Sequence, residues 1–129
     1  MSTRSVLIVE HNKDLRDLLT YLFEKESFKV YATKTAKKGY KTAKKKKPSF
    51  IILGNLKKLE RQIHFCGKVR GKEKVSHTPI FMLTTDPYFE KNELPRKVRA
   101  NAFIITPIKP KKLVSSVYTY LKKEALMGA

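Results

Sequence analysis

Hydrophobic residues alternate along this chain between short unbroken runs and longer, spaced-out stripes. The runs are Ser5–Val9, Phe28–Tyr31, Phe50–Leu53, Ile80–Leu83 and Ala102–Ile105. Each is rich in Val, Ile, Leu or Phe, and near-continuous apolar runs of this length suit strands covered on both faces. Between them apolar residues recur at helical spacing. Leu15, Leu18, Leu19 and Leu22 follow a candidate cap at Asn12; Ala36, Tyr40 and Ala43 precede Pro48. Leu56, Leu59, Ile63 and Cys66 form a third stripe, and Leu113, Val117 and Leu121 a last one after Pro110. The segment from Pro87 to Val98 has the weakest helical pattern, because Pro95 interrupts it. The alternation is (βα)5, which predicts an α/β fold: an open, doubly wound, five-stranded parallel sheet with helices on both faces. In such sheets the functional crevice lies at the carboxyl ends of the strands. The residues there are Glu10 and His11 after the first strand, Gly54 after the third, Thr84 after the fourth and Thr106 after the fifth.

Length adds a bound: 129 residues suit one domain, taken as residues 1–129, with one core. No apolar run is long enough to span a bilayer, and MSTRSVLIVE does not read as a signal peptide. The single cysteine, Cys66, excludes an internal disulfide and fits a reducing cytoplasm. The expected location is therefore cytoplasmic, with no membrane partner. Charge changes the picture more. Twenty-nine Lys and Arg face eleven Asp and Glu, giving +18. Such a field attracts polyanions, although lysine outnumbers arginine and lacks its bidentate phosphate geometry. A lysine-rich surface is equally what solubility or background composition produces.

The strand ends resemble the receiver domain of two-component response regulators. VLIVEHNKDLRDLL is similar to the family's opening strand and helix, PSFIILGNLK to its third strand, TPIFMLTT to its fourth, and ANAFIITPIKPKKL to its fifth strand and the turn beyond. The likeness runs from about Arg4 to Lys123 in the right order. It implies the CheY-like, flavodoxin-type strand order 2-1-3-4-5. It also implies roles: Glu10 stands for the first of two acids, His11 for the second, and Gly54 for the phospho-accepting aspartate. Thr84 keeps the switch hydroxyl and Phe103 the aromatic switch. Thr106 stands for the family's lysine, and Pro107 for the proline after it, whose preceding peptide bond is typically cis. Lys109 falls too late, in the turn to the last helix.

These departures touch chemistry. A glycine offers no carboxylate nucleophile. Mg²⁺ seeks oxygen ligands, and a glutamate beside a histidine supplies few. Thr106 carries no cation for an incoming phosphoryl group. The expectation is a receiver that works without phosphorylation, with no cofactor, no metal and no enzymatic activity. Glu10, His11 and Thr84 either form a small polar cleft for an anion or satisfy one another; the second reading is preferred. His64 and Cys66, two residues apart, point to different helix faces and make no pair. His77 reads as loop, and no glycine-rich phosphate loop exists.

Two surfaces remain as candidates. By resemblance, partners dock on the face of the fourth helical segment, the fifth strand and the last helix. That face holds Tyr88, Phe89, Arg96, Lys97, Arg99, Phe103, Lys109, Lys111 and Lys112, and suits an acidic protein partner or a second copy, so a monomer or weak homodimer is expected. Lys34, Lys37, Lys38, Lys41, Lys44 and Lys45 line the second helix opposite Ala36, Tyr40 and Ala43. Binding of nucleic acid through this stripe, non-specific and salt-sensitive, is the alternative function.

Overall fold

A computed structural model describes residues 4–86 and 98–127. The elements run β1 (Ser5–Val9), α1 (Lys13–Lys25), β2 (Lys29–Thr33), α2 (Ala36–Lys46), β3 (Phe50–Leu53), α3 (Leu59–Arg70), a 3-10 turn (Glu73–Val75), β4 (Ile80–Thr84), β5 (Ala102–Ile105) and α4 (Pro110–Met127). The strands form one parallel sheet in the order β2-β1-β3-β4-β5, as expected. The helix expected between Pro87 and Val98 falls, except for Val98, outside the described residues.

Strand residues alternate between two cores because successive side chains leave a strand on opposite faces. Leu7, Val9, Ile51, Leu53, Ile80 and Met82 pack with residues of α2 and α3. Val6, Ile8, Phe50, Ile52, Phe81 and Leu83 pack beneath α1 and α4. All of β1 and β3 is buried, which explains the unbroken apolar runs. The second core is aromatic. Phe50 packs edge-to-face on Phe23, Phe28 and Phe81 at centroid distances of 5.4, 5.2 and 5.7 Å, the arrangement ring quadrupoles favour.

Three element boundaries differ from expectation. Phe28 is not in the second strand: Ser27 takes a positive φ, and the Phe28 amide donates to the Phe23 carbonyl. Its ring joins the aromatic core, and pairing starts at Lys29 opposite Ser5. On α1 the Asn12 side chain caps the Leu15 amide as expected, but Leu19 and Phe23 are the buried pair and Leu18 is 39% exposed. On α3 the inward line is Gln62, Phe65, Cys66 and Val69, while Leu59 is 37% exposed and Leu56 is buried ahead of the helix. The stripe is rotated because Gln62 has work inside, described below.

At the other end of the sheet Arg70, half buried on α3, ties the connections together. Its guanidinium donates to the carbonyls of Ser76, Thr78 and Arg99 and to Asn101 Oδ1. Asn101 Oδ1 also accepts the Ile80 amide, and its Nδ2 donates to the Tyr120 hydroxyl. Burial presses the Arg70 pKa down and the Tyr120 pKa up from their ordinary values.

Replacing Phe50 by Ala removes three ring contacts at once and is expected to cost about 3–5 kcal/mol, read by urea unfolding. A loss below about 1 kcal/mol would refute its place at the centre of the core. Burial also pushes the Cys66 thiol up to about 12. The thiolate is the reactive form, so Cys66 is expected to resist disulfide-exchange reagents at pH 8 until the domain is unfolded.

Candidate functional site

The register of β1 against β3 builds the site. Val9 pairs with Leu53, and the Gly54 amide donates to the Val9 carbonyl at 2.6 Å, so Glu10 and Gly54 emerge side by side. The Glu10 amide donates to the Thr33 carbonyl, holding the chain against β2 for one more residue. Glu10 is therefore turned inward and is only 1% exposed. Its Oε2 accepts the Asn12 amide at 2.8 Å and lies 3.2 Å from His11 Nδ1. Oε1 is buried and has no hydrogen-bond partner among the described residues. It occupies the space that a Cβ on residue 54 would take, with Glu10 Cδ 2.8 Å from that point. A buried carboxylate oxygen left without a donor is costly, so the close approach to a glycine is a specific fit between the two residues.

His11 is exposed, and its Nδ1 lies 2.7 Å from the Asn55 carbonyl. Both neighbours of that nitrogen are acceptors, so Nδ1 carries the proton. Arg16 Nη1 donates to the carbonyls of Glu10 and His11. The Asn55 side chain accepts the Lys57 amide in a tight turn, with Lys57 at φ 76°. The loops after β1 and β3 are thus fastened to each other.

Thr84 and Thr106 meet on the other side. The Thr106 amide and hydroxyl both reach the Thr84 carbonyl, at 2.8 and 3.3 Å, and the Thr84 hydroxyl accepts the Asp86 amide. The Thr106–Pro107 peptide bond is cis. Thr84 shares a cleft of about 220 Å³ with Asn55 and Gln62. Gln62 escaped the sequence reading. It is buried, and its Nε2 donates to the carbonyls of Gly54 and Leu83 at 2.8 and 2.9 Å, pinning the ends of β3 and β4. A polar residue at helical spacing with Phe65, Cys66 and Val69 was the available signal.

Of the proposed docking face, Tyr88, Phe89, Arg96 and Lys97 lie outside the described residues. A cleft of about 460 Å³ beside β5 brings together Phe103, Lys109 and Lys112, with Thr106 and Leu113. Lys111 is exposed but does not line it, and Arg99 sits at the opposite end of β5, its carbonyl held by Arg70. All six lysines of the stripe are exposed, but only five lie on α2: Lys34 falls ahead of it, before the cap Thr35. Beneath them Ala43 is buried and Gly39 lies so close to Val9 that a Cβ would come within 2.6 Å of Val9 Cγ2. Lys44 stands 4.5 Å and Lys68 4.3 Å from the centre of the Tyr40 ring. His64 is exposed and Cys66 buried, so they do not form a pair.

A parallel α/β domain with polar residues gathered at the ends of β1, β3, β4 and β5 has the architecture of a receiver. The family model for the response regulator receiver domain matches residues 6–118, and the chain belongs to that family. Its members are signalling modules that act through protein partners. Solved structures agree on the fold. The chemotaxis response regulator CheY4 of Vibrio cholerae superposes with a TM-score of 0.82 at 22% identity, covering 92% of this chain and 98% of that one. A putative response regulator from Chloroflexus aurantiacus J-10-fl gives 0.82 at 21% identity, covering 94% and 99%. The receiver domain of the sensor histidine kinase PA1611 from Pseudomonas aeruginosa PAO1, with magnesium coordinated in its active site cleft, gives 0.80 at 16%, covering 94% and 99%. No curated protein matches the sequence significantly. No described helix is long and apolar enough to cross a membrane.

The fit of Glu10 to Gly54 has a measurable signature. Gly54→Ala is expected to cost about 1–3 kcal/mol in urea unfolding, the usual penalty of overpacking. In a Glu10→Ala background the same change should cost clearly less, and additive costs would mean that the two residues do not contend for one space.

Proposed function

We propose that this chain is a receiver domain that works in signalling without being phosphorylated, as a module that docks protein partners through its surface. The observation carrying this reading is the Glu10 carboxylate lying in the space of a side chain at position 54. Gly54 offers no carboxylate to phosphorylate, and the room a nucleophile would need is filled. The donors do not fit the magnesium ion that such chemistry uses. One carboxylate is present with one oxygen turned onto Gly54, and the His11 ring is held by the Asn55 carbonyl. Mg²⁺ prefers several hard oxygen ligands in near-octahedral array. Thr106 spends its hydroxyl on the Thr84 carbonyl and brings no positive charge. The cleft holding Phe103, Lys109 and Lys112 is the surface best suited to a partner, one of acidic character.

A second reading has an observation of its own. From Ser27 to Leu59 the chain holds eleven lysines and no Asp or Glu, so the β2–α2 side is a field of one sign. Like charges along α2 oppose its folding slightly, and a polyanion such as nucleic acid would relieve that. Such binding would be sequence-tolerant and steeply salt-dependent.

Two experiments separate these readings from a phosphorylated receiver and from each other. With beryllofluoride and Mg²⁺, amide resonances of Gly54 and Thr84 are expected to stay in place, and acetyl phosphate should leave the intact mass unchanged. A shift centred on Gly54, or a phosphoryl adduct, would refute the first reading. Fluorescence anisotropy with labelled duplex and single-stranded nucleic acid tests the second. Binding at near-physiological salt that is lost in Lys37→Glu/Lys41→Glu/Lys44→Glu supports it, and absence of binding at that salt removes it.

A further inference from the structure

A second cleft, of about 240 Å³, opens beside the dismantled site rather than in it. Its floor is Ala36 and Leu56, and its rim carries Lys34, Lys57, Arg61 and His11. Gly54, Thr84 and Thr106 take no part in its lining. Four basic groups therefore converge: His11, Lys34 and Lys57 from the connections after β1, β2 and β3, and Arg61 from the first turn of α3. No carboxylate among the described residues lines the cleft, and Glu10 meets the His11 ring from outside it, at 3.2 Å. Lys34, Lys57 and Arg61 are exposed and make no ion pair with another described residue, so their repulsion is softened by water.

Topology gives the position meaning. The order β2-β1-β3 places consecutive strands on opposite sides of β1, and in open parallel sheets the crevice beyond the carboxyl ends at such a reversal is where ligands settle. The lining is mixed in a particular way. Leu56 is buried and Ala36 half buried, forming an apolar floor, whereas the rim is cationic. His11 uses Nδ1 on the Asn55 carbonyl, which leaves Nε2 as its second polar atom. Arg61 can grip an oxyanion through two parallel N–H groups, and the lysines add point charge.

We propose that this cleft binds a small phosphomonoester with a compact aromatic or apolar body, the size of a mononucleotide. The phosphate would lie among Lys34, Lys57 and Arg61, and the body over Ala36 and Leu56. The volume is below the usual range for drug-sized ligands, roughly 300–1,000 Å³, which argues against a dinucleotide. Such a site is independent of whether position 54 is ever phosphorylated.

The test uses adenosine 5′-monophosphate, inorganic phosphate and adenosine as separate probes of the whole chain, at near-physiological salt. Amide shifts and calorimetry supply the readouts. Saturable shifts at Ala36 and Lys57 are expected with the monophosphate, and weaker affinity for phosphate or adenosine alone. Lys34→Ala/Lys57→Ala/Arg61→Ala should weaken monophosphate binding by about tenfold or more. The charge-matched Lys72→Ala/Lys74→Ala/Lys122→Ala, at exposed lysines away from the cleft, should change it by less than about twofold. Equal loss in both variants would make the effect one of bulk charge and overturn the site. So would shifts centred on Gly54 and Thr84, or no saturation by about 10 mM. Inorganic phosphate binding as tightly as the monophosphate would overturn the assignment of the apolar floor. Because the shift mapping is done on the unaltered protein, it stands even if a triple variant fails to fold.

Discussion

The pairing of β1 with β3 is the constraint on which the functional end of this domain depends. Both strands are buried on both faces, so a slip of one residue would exchange their two apolar sets and is strongly resisted. With Val9 held opposite Leu53, the residues that follow have little choice of direction. Glu10 is carried into the protein, Gly54 beneath it, and His11 out to the Asn55 carbonyl. An acid that would meet water in a loop is instead desolvated, and the missing side chain at position 54 makes room for it. One register thus sets the burial of an acidic side chain, its packing on Gly54 and the tie between two loops.

The strands were legible because the apolar runs are short and dense, and their order followed from the family resemblance carried by the motifs at their ends. Helix faces were less legible. Leu18 and Leu59 carry the right spacing, yet each is more than a third exposed, because the inward lines are Leu19 and Phe23 on α1 and Gln62, Phe65, Cys66 and Val69 on α3. Phe28 belongs to the aromatic core and not to a strand, a distinction that hydrophobicity alone does not make. At the site, the resemblance pointed to which residues to compare, whereas only geometry shows how they meet. That Glu10 leans onto Gly54 follows from a backbone register, and that Gln62 spans Gly54 and Leu83 follows from the placement of α3. Neither relation leaves a local pattern in the chain.

Charge divides the surface unevenly. Lys44 of α2 and Lys68 of α3 both approach the Tyr40 ring, and Lys29 and Lys46 approach Tyr31 at 5.9 and 5.5 Å. Ring faces attract cations by about 0.5–1 kcal/mol at exposed sites, so these contacts offset part of the mutual repulsion. They also shape the patch: lysines that lie on rings are positioned, while Lys37, Lys38 and Lys41 extend freely into solvent. A helix with no acid of its own and packed through Gly39 and Ala43 can carry this density of charge because its underside is anchored so closely to β1.

The clasp that Arg70 makes with Ser76, Thr78, Arg99 and Asn101 lies at the end of the sheet away from Gly54, and Asn101 extends it to Tyr120 on α4. It joins the third helix, the last two strands and the final helix without help from Glu10, His11, Gly54, Thr84 or Thr106. Rigidity and chemistry therefore occupy opposite poles of the same sheet. A scaffold divided in this way ties its connections together at one pole by bonds that a change at Glu10 or Gly54 would leave in place.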